Sequence, residues 1–505
     1  MATSRHAGRR WLFAVLVAVV LMAPVAGTTA AADTPTSSTA QPDASSWQPP
    51  AVDMTALPAD GPPGPGTGVT YTQKSGCITS HTNGVQLPDE PAAQAMLNIK
   101  TAQQFATGTG VTVAVIDTGV NKHPFLTDHN RLRGGGDYIT PSATSDGTID
   151  CDGHGTLTAG IVAANTANTG LAFTGVAPAA TVIAIRQTST LFTAQVGGQD
   201  TGLTAGTPGT LASAIVHAVN LGANVITTSV DTCLLTADAV TQMNHPGSQE
   251  KALQAAIHYA VEHNVVVVNS AGNTASQPEG NGQQSTASNN LCASVQQNNN
   301  PNPNNVQEIE IPAIYSDDLL SVASVSPYTG AVSTFSVWGP WVNIAAPGEG
   351  ITSVDPGQGG AGLANLFAEP GSNSQPGLIQ GTSFAAPYVA GVVALVRSRF
   401  PDLNARQVIT RIEATAQHPS GPGGRNNQIG YGIINPVAAL TAVIPGQNGV
   451  PAIHNTRIPA VLPLAATKDW VPVRVALIGT VGGIVLLLGT LFVVRTVRRR
   501  NPPSS

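Results

Sequence analysis

Five short apolar runs constrain this chain more than any other feature: Val111 to Ile116, Thr181 to Ile185, Asn224 to Ser229, Val265 to Asn269 and Leu320 to Val325. Each is bounded by turn residues and apolar at successive rather than alternate positions, which reads as a strand buried on both faces. Between them, Leu211 to Leu221 and Lys251 to His263 show helical spacing. Strand, helix, strand repetition implies an α/β fold with a mostly parallel central sheet flanked by helices on both faces. In such sheets the functional side chains gather where strands end, at the carboxyl edge.

A chain of 505 residues can bury a large core, and 42% of it is hydrophobic. Only 10% is charged, with 22 basic against 28 acidic side chains, and the net charge of -6 gives no reason to expect nucleic acid as a partner.

Both ends carry apolar segments. Arg5, Arg9 and Arg10 precede an apolar run from Trp11 to Val25 and the small residues Ala26 to Ala32, the pattern of a secretory signal peptide over residues 1–32. An uncleaved N-terminal anchor is the alternative, and it too would place the downstream domain outside the cytoplasm. Val475 to Val494 holds twenty residues without a charge and ends in Arg495, Arg498, Arg499 and Arg500. The expectation is a single transmembrane helix over 473–494 with a basic cytoplasmic tail over 495–505, and hence a single-pass cell-membrane protein whose main domain lies outside the cytoplasm. Cys77, Cys151, Cys233 and Cys292 then occupy an oxidising compartment, so two disulfides are expected. Four cysteines permit three pairings, and no C-x-x-C spacing supports zinc.

Residues 33–95 are rich in Pro, Ser, Thr, Ala and Asp and read as an extension that lies on another part of the chain or stays mobile. The α/β pattern occupies 96–443, interrupted by an Asn-rich surface insertion at about 274–307, and a Pro-rich spacer occupies 444–472.

The first strand runs directly into Asp117, and a carboxylate there is costly unless something pairs with it. His154, within Asp152-Gly153-His154-Gly155-Thr156, is the candidate partner, although a lone Gly-His-Gly is as compatible with a structural histidine. Gly381-Thr382-Ser383-Phe384-Ala385-Ala386-Pro387 places a serine where a glycine turn enters an apolar helix. Backbone N–H groups point outward at such a place and favour an oxyanion; alone, the motif is also a plain helix cap. Together, in the order Asp, His, Ser, the three motifs match one known arrangement of a nucleophilic triad.

On these motifs the chain resembles the subtilisin-like serine proteases across about residues 96 to 443. The resemblance implies a serine endopeptidase with Asp117, His154 and Ser383 as catalytic residues and Asn273, in Ser270-Ala271-Gly272-Asn273, as oxyanion donor. It also implies substrate binding by Ser229 and Val230 together with Ser270, Ala271 and Gly272. Val230 and Asp231 depart from the family's usual Ser-Leu-Gly, so the sequence leaves specificity open beyond an extended peptide and small or apolar pockets. Within that family the chain is most similar to the mycosins of type VII secretion systems, in its signal peptide, Pro-rich extension, Asp150-Cys151-Asp152-Gly153-His154-Gly155-Thr156 motif, Asn-rich insertion and single C-terminal span. By that similarity the pairings are Cys77 with Cys151 and Cys233 with Cys292, and the partners are a protein substrate and secretion membrane components.

The expected function is therefore a membrane-anchored mycosin-like endopeptidase cleaving a substrate or component of a type VII system. A structural stabiliser or cap of the secretion complex, largely independent of proteolysis, is the alternative; an esterase using the same nucleophile has no lipid or small-ester pocket to recommend it. No cofactor is implied. Family members often bind structural calcium, but no contiguous acidic loop here would hold it.

Overall fold

The computed structural model describes residues 48–79, 87, 89–141, 145–274, 292, 306–368, 376–420, 422–447 and 471–500. The signal peptide expected at 1–32, most of the insertion expected at about 274–307 and all but the ends of the spacer expected at 444–472 lie outside these residues.

Seven parallel strands build the central sheet: β1 (Thr112–Asp117), β2 (Leu132–Asp137), β3 (Thr181–Arg186), β4 (Val225–Thr228), β5 (Val266–Ser270), β6 (Leu319–Val325) and β7 (Ile344–Pro347). Their spatial order is β2-β3-β1-β4-β5-β6-β7, so β1 and β4 lie near the centre. Successive side chains of a strand point to opposite faces, and the core divides accordingly. Val113, Val115, Val182 and Ala184 face one layer, packed with α1 (His154–Ala163) and α4 (Thr382–Arg399). Ala114, Ile116, Ile183 and Ile185 face the other, packed with α2 (Pro208–Asn220) and α3 (Gln249–Glu262). The mostly parallel α/β sheet expected from the apolar runs is therefore present.

Capping sets where the outer helices begin. Thr207 and Thr210 exchange side-chain and backbone hydrogen bonds ahead of α2, with Pro208 in its first turn, and Ser248 caps α3 through the Lys251 N–H. Helix α4 is different, being buried on every side from Thr382 to Arg397. It is the central helix, and its N-terminus opens at the carboxyl edge of the sheet.

The N-terminal extension lies on the domain. Val69–Gln73 pairs antiparallel with Ser189–Val196, which pairs in turn with Gln199–Ala205. Asp60 accepts from the His217 ring and the Asn220 amide of α2, and the Pro50 carbonyl accepts from Gln254 of α3. Disulfides join Cys77 to Cys151 and Cys233 to Cys292. A second ribbon, Thr232–Leu235 against Glu308–Ile311, carries the chain out from β4 and back from the insertion.

One expectation is corrected. The apolar run Val475 to Val494 lies in a long helix, α5 (Val471–Arg500), but no helix among the described residues is long and apolar enough to cross a membrane. The helix takes in Arg474 as well as Arg495, Arg498, Arg499 and Arg500, so charged residues stand at both ends of the apolar run. The single transmembrane helix over 473–494, the membrane anchor and the single-pass cell-membrane placement with a cytoplasmic tail are withdrawn with it.

Candidate active site

Asp117 is the last residue of β1, at the carboxyl edge, and is 2% exposed. Its Oδ1 accepts from the Thr118 N–H at 2.7 Å and lies 2.8 Å from His154 Nδ1. That contact assigns the proton on Nδ1 and leaves Nε2 as the ring's available base. His154 opens α1, and the close approach of α1 to β1 depends on the next residue: a Cβ on Gly155 would fall 2.0 Å from the Gly119 carbonyl oxygen.

The start of α1 is held by a carboxylate. Gly153 offers no side-chain cap, so Asp150, with no exposed surface, accepts from the Gly153 N–H (2.7 Å), the Thr156 N–H (2.8 Å), the Thr156 hydroxyl (2.6 Å) and the Thr118 hydroxyl (2.8 Å). The Thr118 hydroxyl accepts from the Gly155 N–H at 2.9 Å, so one small network locks Asp117's neighbour to His154's helix. Burial, aided by repulsion from Asp152, pushes Asp150 up to about 6 despite these donors. Burial alone would push the His154 imidazole down, but the charge and hydrogen bond of Asp117, with Asp150 and Asp152 behind it, outweigh burial and hold it above its ordinary 6.5.

Ser383 occupies the first turn of α4, next to Phe384, whose ring stacks at a tilt 4.8 Å from the His154 ring. The serine and the imidazole are thus brought to the same end of the sheet from residues 229 positions apart in sequence. Pro387 sits four residues on and has no N–H to give, so the Ser383 carbonyl makes no helical bond to it and instead accepts from the Ser229 hydroxyl at 3.4 Å. Asn273 approaches from the turn after β5. Its Oδ1 accepts from the Thr382 N–H at 3.0 Å and the Thr382 hydroxyl at 3.2 Å, which fixes the amide so that Nδ2 is the group it presents.

The remaining site residues named from sequence fall along two segments. Ser229 and Val230 come directly after β4, with Val230 packed against the α2 and α3 layer. Ser270 ends β5 and its hydroxyl donates to Asp231 at 3.3 Å. The Ala271 N–H is spent on the Val322 carbonyl and the Gly272 carbonyl on the Val337 N–H, so these backbone groups hold the turn. Glu310 escaped the sequence reading entirely: it carries no motif and reaches the turn only because Glu308–Ile311 folds back beside Thr232–Leu235. Among the described residues the one grouping with metal-ligating atom types is Cys233, Cys292 and Glu310, whose two sulfurs are consumed by a disulfide.

The Subtilase family profile matches residues 108–432. The chain belongs to the subtilase family. This subtilase is 42% identical over 462 residues to Mycosin-3 of Mycobacterium tuberculosis, which covers 90% of this chain and 94% of that protein. It is 40% identical over 421 residues to Mycosin-1 of Mycolicibacterium smegmatis, with 80% and 84% covered. The crystal structure of MycP1 from the ESX-1 type VII secretion system superposes at a TM-score of 0.65 and 39% identity, covering 79% of the subtilase and 97% of that chain. A chain in the intact ESX-5 inner membrane complex gives 0.65 and 36%, covering 89% and 100%. The subtilase is closely related to mycosin-type proteases and carries a serine-protease catalytic domain.

Proposed function

We propose that Asp117, His154 and Ser383 act as a catalytic triad, with Asn273 Nδ2 and the Ser383 N–H as oxyanion donors. We further propose that the chain is a mycosin-type serine endopeptidase working beside membrane components of a type VII secretion system. The observation that carries the chemistry is the 2.8 Å contact between Asp117 Oδ1 and His154 Nδ1 at the carboxyl edge that also holds Ser383. The partner reading rests on the similarity to a chain within the ESX-5 inner membrane complex. The peptidase domain is taken as 96–443, with 33–95 as an extension wrapped on it.

Ser383 Oγ attacks the scissile carbonyl while His154 Nε2 takes its proton; the imidazolium so formed is stabilised by Asp117. The carbonyl oxygen, now negative, moves between Asn273 Nδ2 and the Ser383 N–H. His154 returns the proton to the leaving amine, and water repeats the sequence on the acyl-enzyme. The substrate runs extended between Ser229-Val230 and Ser270-Gly272, held by backbone bonds of the edge-strand kind.

An alkyl fluorophosphonate should label Ser383 in the folded protein, and folded protein that takes no label excludes the triad. Asn273→Ala should lower kcat by about 10²- to 10³-fold with little change in KM, since the donor is engaged only as charge develops on the oxygen. The base must be neutral to act, and Asp117 holds His154 above 6.5, so kcat/KM should fall as pH drops through a midpoint above 6.5. A pH–rate profile with its acid limb centred below 6 would contradict the assigned base.

A further inference from the structure

Two carboxyl groups that the triad does not use converge on the flank of the turn that carries Asn273. Cys233 lies opposite Glu310 in the antiparallel ribbon, which brings Glu310 back beside the segment that leaves β4 through Asp231. The Glu310 carboxyl rests on Gly272: a Cβ there would fall 2.2 Å from Oε1 and 2.4 Å from the carboxyl carbon, and Gly272 has a φ of 97°. Asp231 accepts from the Ser270 hydroxyl at 3.3 Å and is near enough to Glu310 for its charge to act on that carboxyl. Both acids therefore lie against the turn Ser270–Gly272.

Glu310 is 1% exposed, and its Oε2 has no hydrogen-bond partner among the described residues. Its Oε1 lies 3.4 Å from Cys292 Sγ, an atom with no proton to offer once bonded to Cys233. A buried acceptor left without a donor is costly. A donor that arrives with the substrate accounts for that cost.

We propose that Asp231 and Glu310 form the acidic end of a pocket for the side chain of the residue whose carbonyl Ser383 attacks, and that this side chain is lysine or arginine. The proposal rests on the protease reading above and adds its specificity. The attacked carbonyl oxygen lies between Asn273 Nδ2 and the Ser383 N–H, so the side chain on the adjoining Cα enters between Ser229–Asp231 and Ser270–Gly272. An aliphatic stem packs there against Val230, and its cationic head supplies a donor to Glu310 Oε2, which has none among the described residues, and a counter-charge to Asp231. Before a substrate enters, burial pushes Asp231 up to about 6 against the Ser270 hydrogen bond and the charge of His154, and burial together with Asp231 and Glu308 raises Glu310 well above the carboxylate range. An entering cation reverses both effects and draws the carboxyls into their charged forms. Neutral side chains leave Glu310 Oε2 without a donor, and acidic ones bring a negative charge against two buried carboxyls.

The test compares peptidyl diphenyl phosphonates that differ only at the attacked residue, carrying Lys, Ala, Leu or Glu, on the full chain. Adduct formation on Ser383 is tracked by mass. The Lys probe should react about tenfold or more faster than the Ala probe, with the Glu probe slowest. In Asp231→Asn the Lys-to-Ala ratio should collapse toward one, and Glu310→Gln, the second variant should Asp231→Asn not fold, should lower the same ratio. Equal rates for Lys and Ala in the unmodified protein, or a ratio unchanged in both variants, overturn the proposal while the protease reading stands. If neither these probes nor an alkyl fluorophosphonate label Ser383, the protease reading fails and takes the specificity with it.

Discussion

Ser383→Ala is expected to lower peptide turnover by roughly 10⁶-fold, the largest effect any single substitution here should produce. The residual rate comes from substrate binding and the oxyanion donors, which do not need the hydroxyl. The fold should survive, because the Oγ is the only group removed and α4 is anchored by burial along its whole length. The Ser383 carbonyl, which accepts from Ser229, is unchanged. Thermal unfolding and near-UV circular dichroism matching the unmodified protein, together with loss of turnover, are the required pair. A variant that kept more than about a thousandth of the activity would mean that another group carries the nucleophilic step. The same variant separates chemistry from assembly: if it still co-purifies with secretion membrane components, the partner reading does not depend on cleavage.

Asp117→Asn should cost about 10³- to 10⁴-fold in kcat/KM. The local geometry says why. One oxygen of Asp117 serves both the Thr118 N–H and His154 Nδ1, while Oδ2 is buried without a partner among the described residues. An asparagine that puts its oxygen in the Oδ1 position keeps both contacts and the histidine tautomer, but strands its NH2 in the Oδ2 position. The loss then reports the missing negative charge beside the imidazolium. Because that charge is what raises His154 against burial, the acid limb of the pH–rate profile should also move to lower pH. A loss of rate with an unmoved limb would argue that Asp117 only positions the ring.

The inner strands were readable because burial on both faces leaves a run of successive apolar residues, and each observed strand lies within a residue of its expected limits. The two edge strands were not. β2 reads Leu-Arg-Gly-Gly-Gly-Asp and β7 Ile-Ala-Ala-Pro, sequences with weak strand preference that are recruited by the neighbour already in place. Asp117, His154 and Ser383 announced themselves through glycine-flanked motifs at element ends. Glu310 did not, since a glutamate in Glu-Ile-Glu-Ile looks like an ordinary alternating strand until the ribbon turns it toward Gly272. Asp150 stood within a motif, yet its work in capping α1 emerges only from the four donors that surround it. At the C-terminal end the uncharged run Val475 to Val494 does lie in a helix, but no helix among the described residues is long and apolar enough to cross a membrane.

The course of the extension alters what it would take to lose it. Residues 48 to 79 touch α3 through Pro50, α2 through Asp60 and the Ser189–Val196 strand through Val69–Gln73, and are bonded through Cys77 to Cys151, three positions from His154. A cut in the chain after Cys77 would leave the piece attached by sulfur, and reduction alone would leave it attached by the backbone. Release therefore needs two unrelated events, one proteolytic and one reductive, as a lock needs two keys. Where the surroundings remain oxidising, the segment beside His154 is a permanent part of the enzyme.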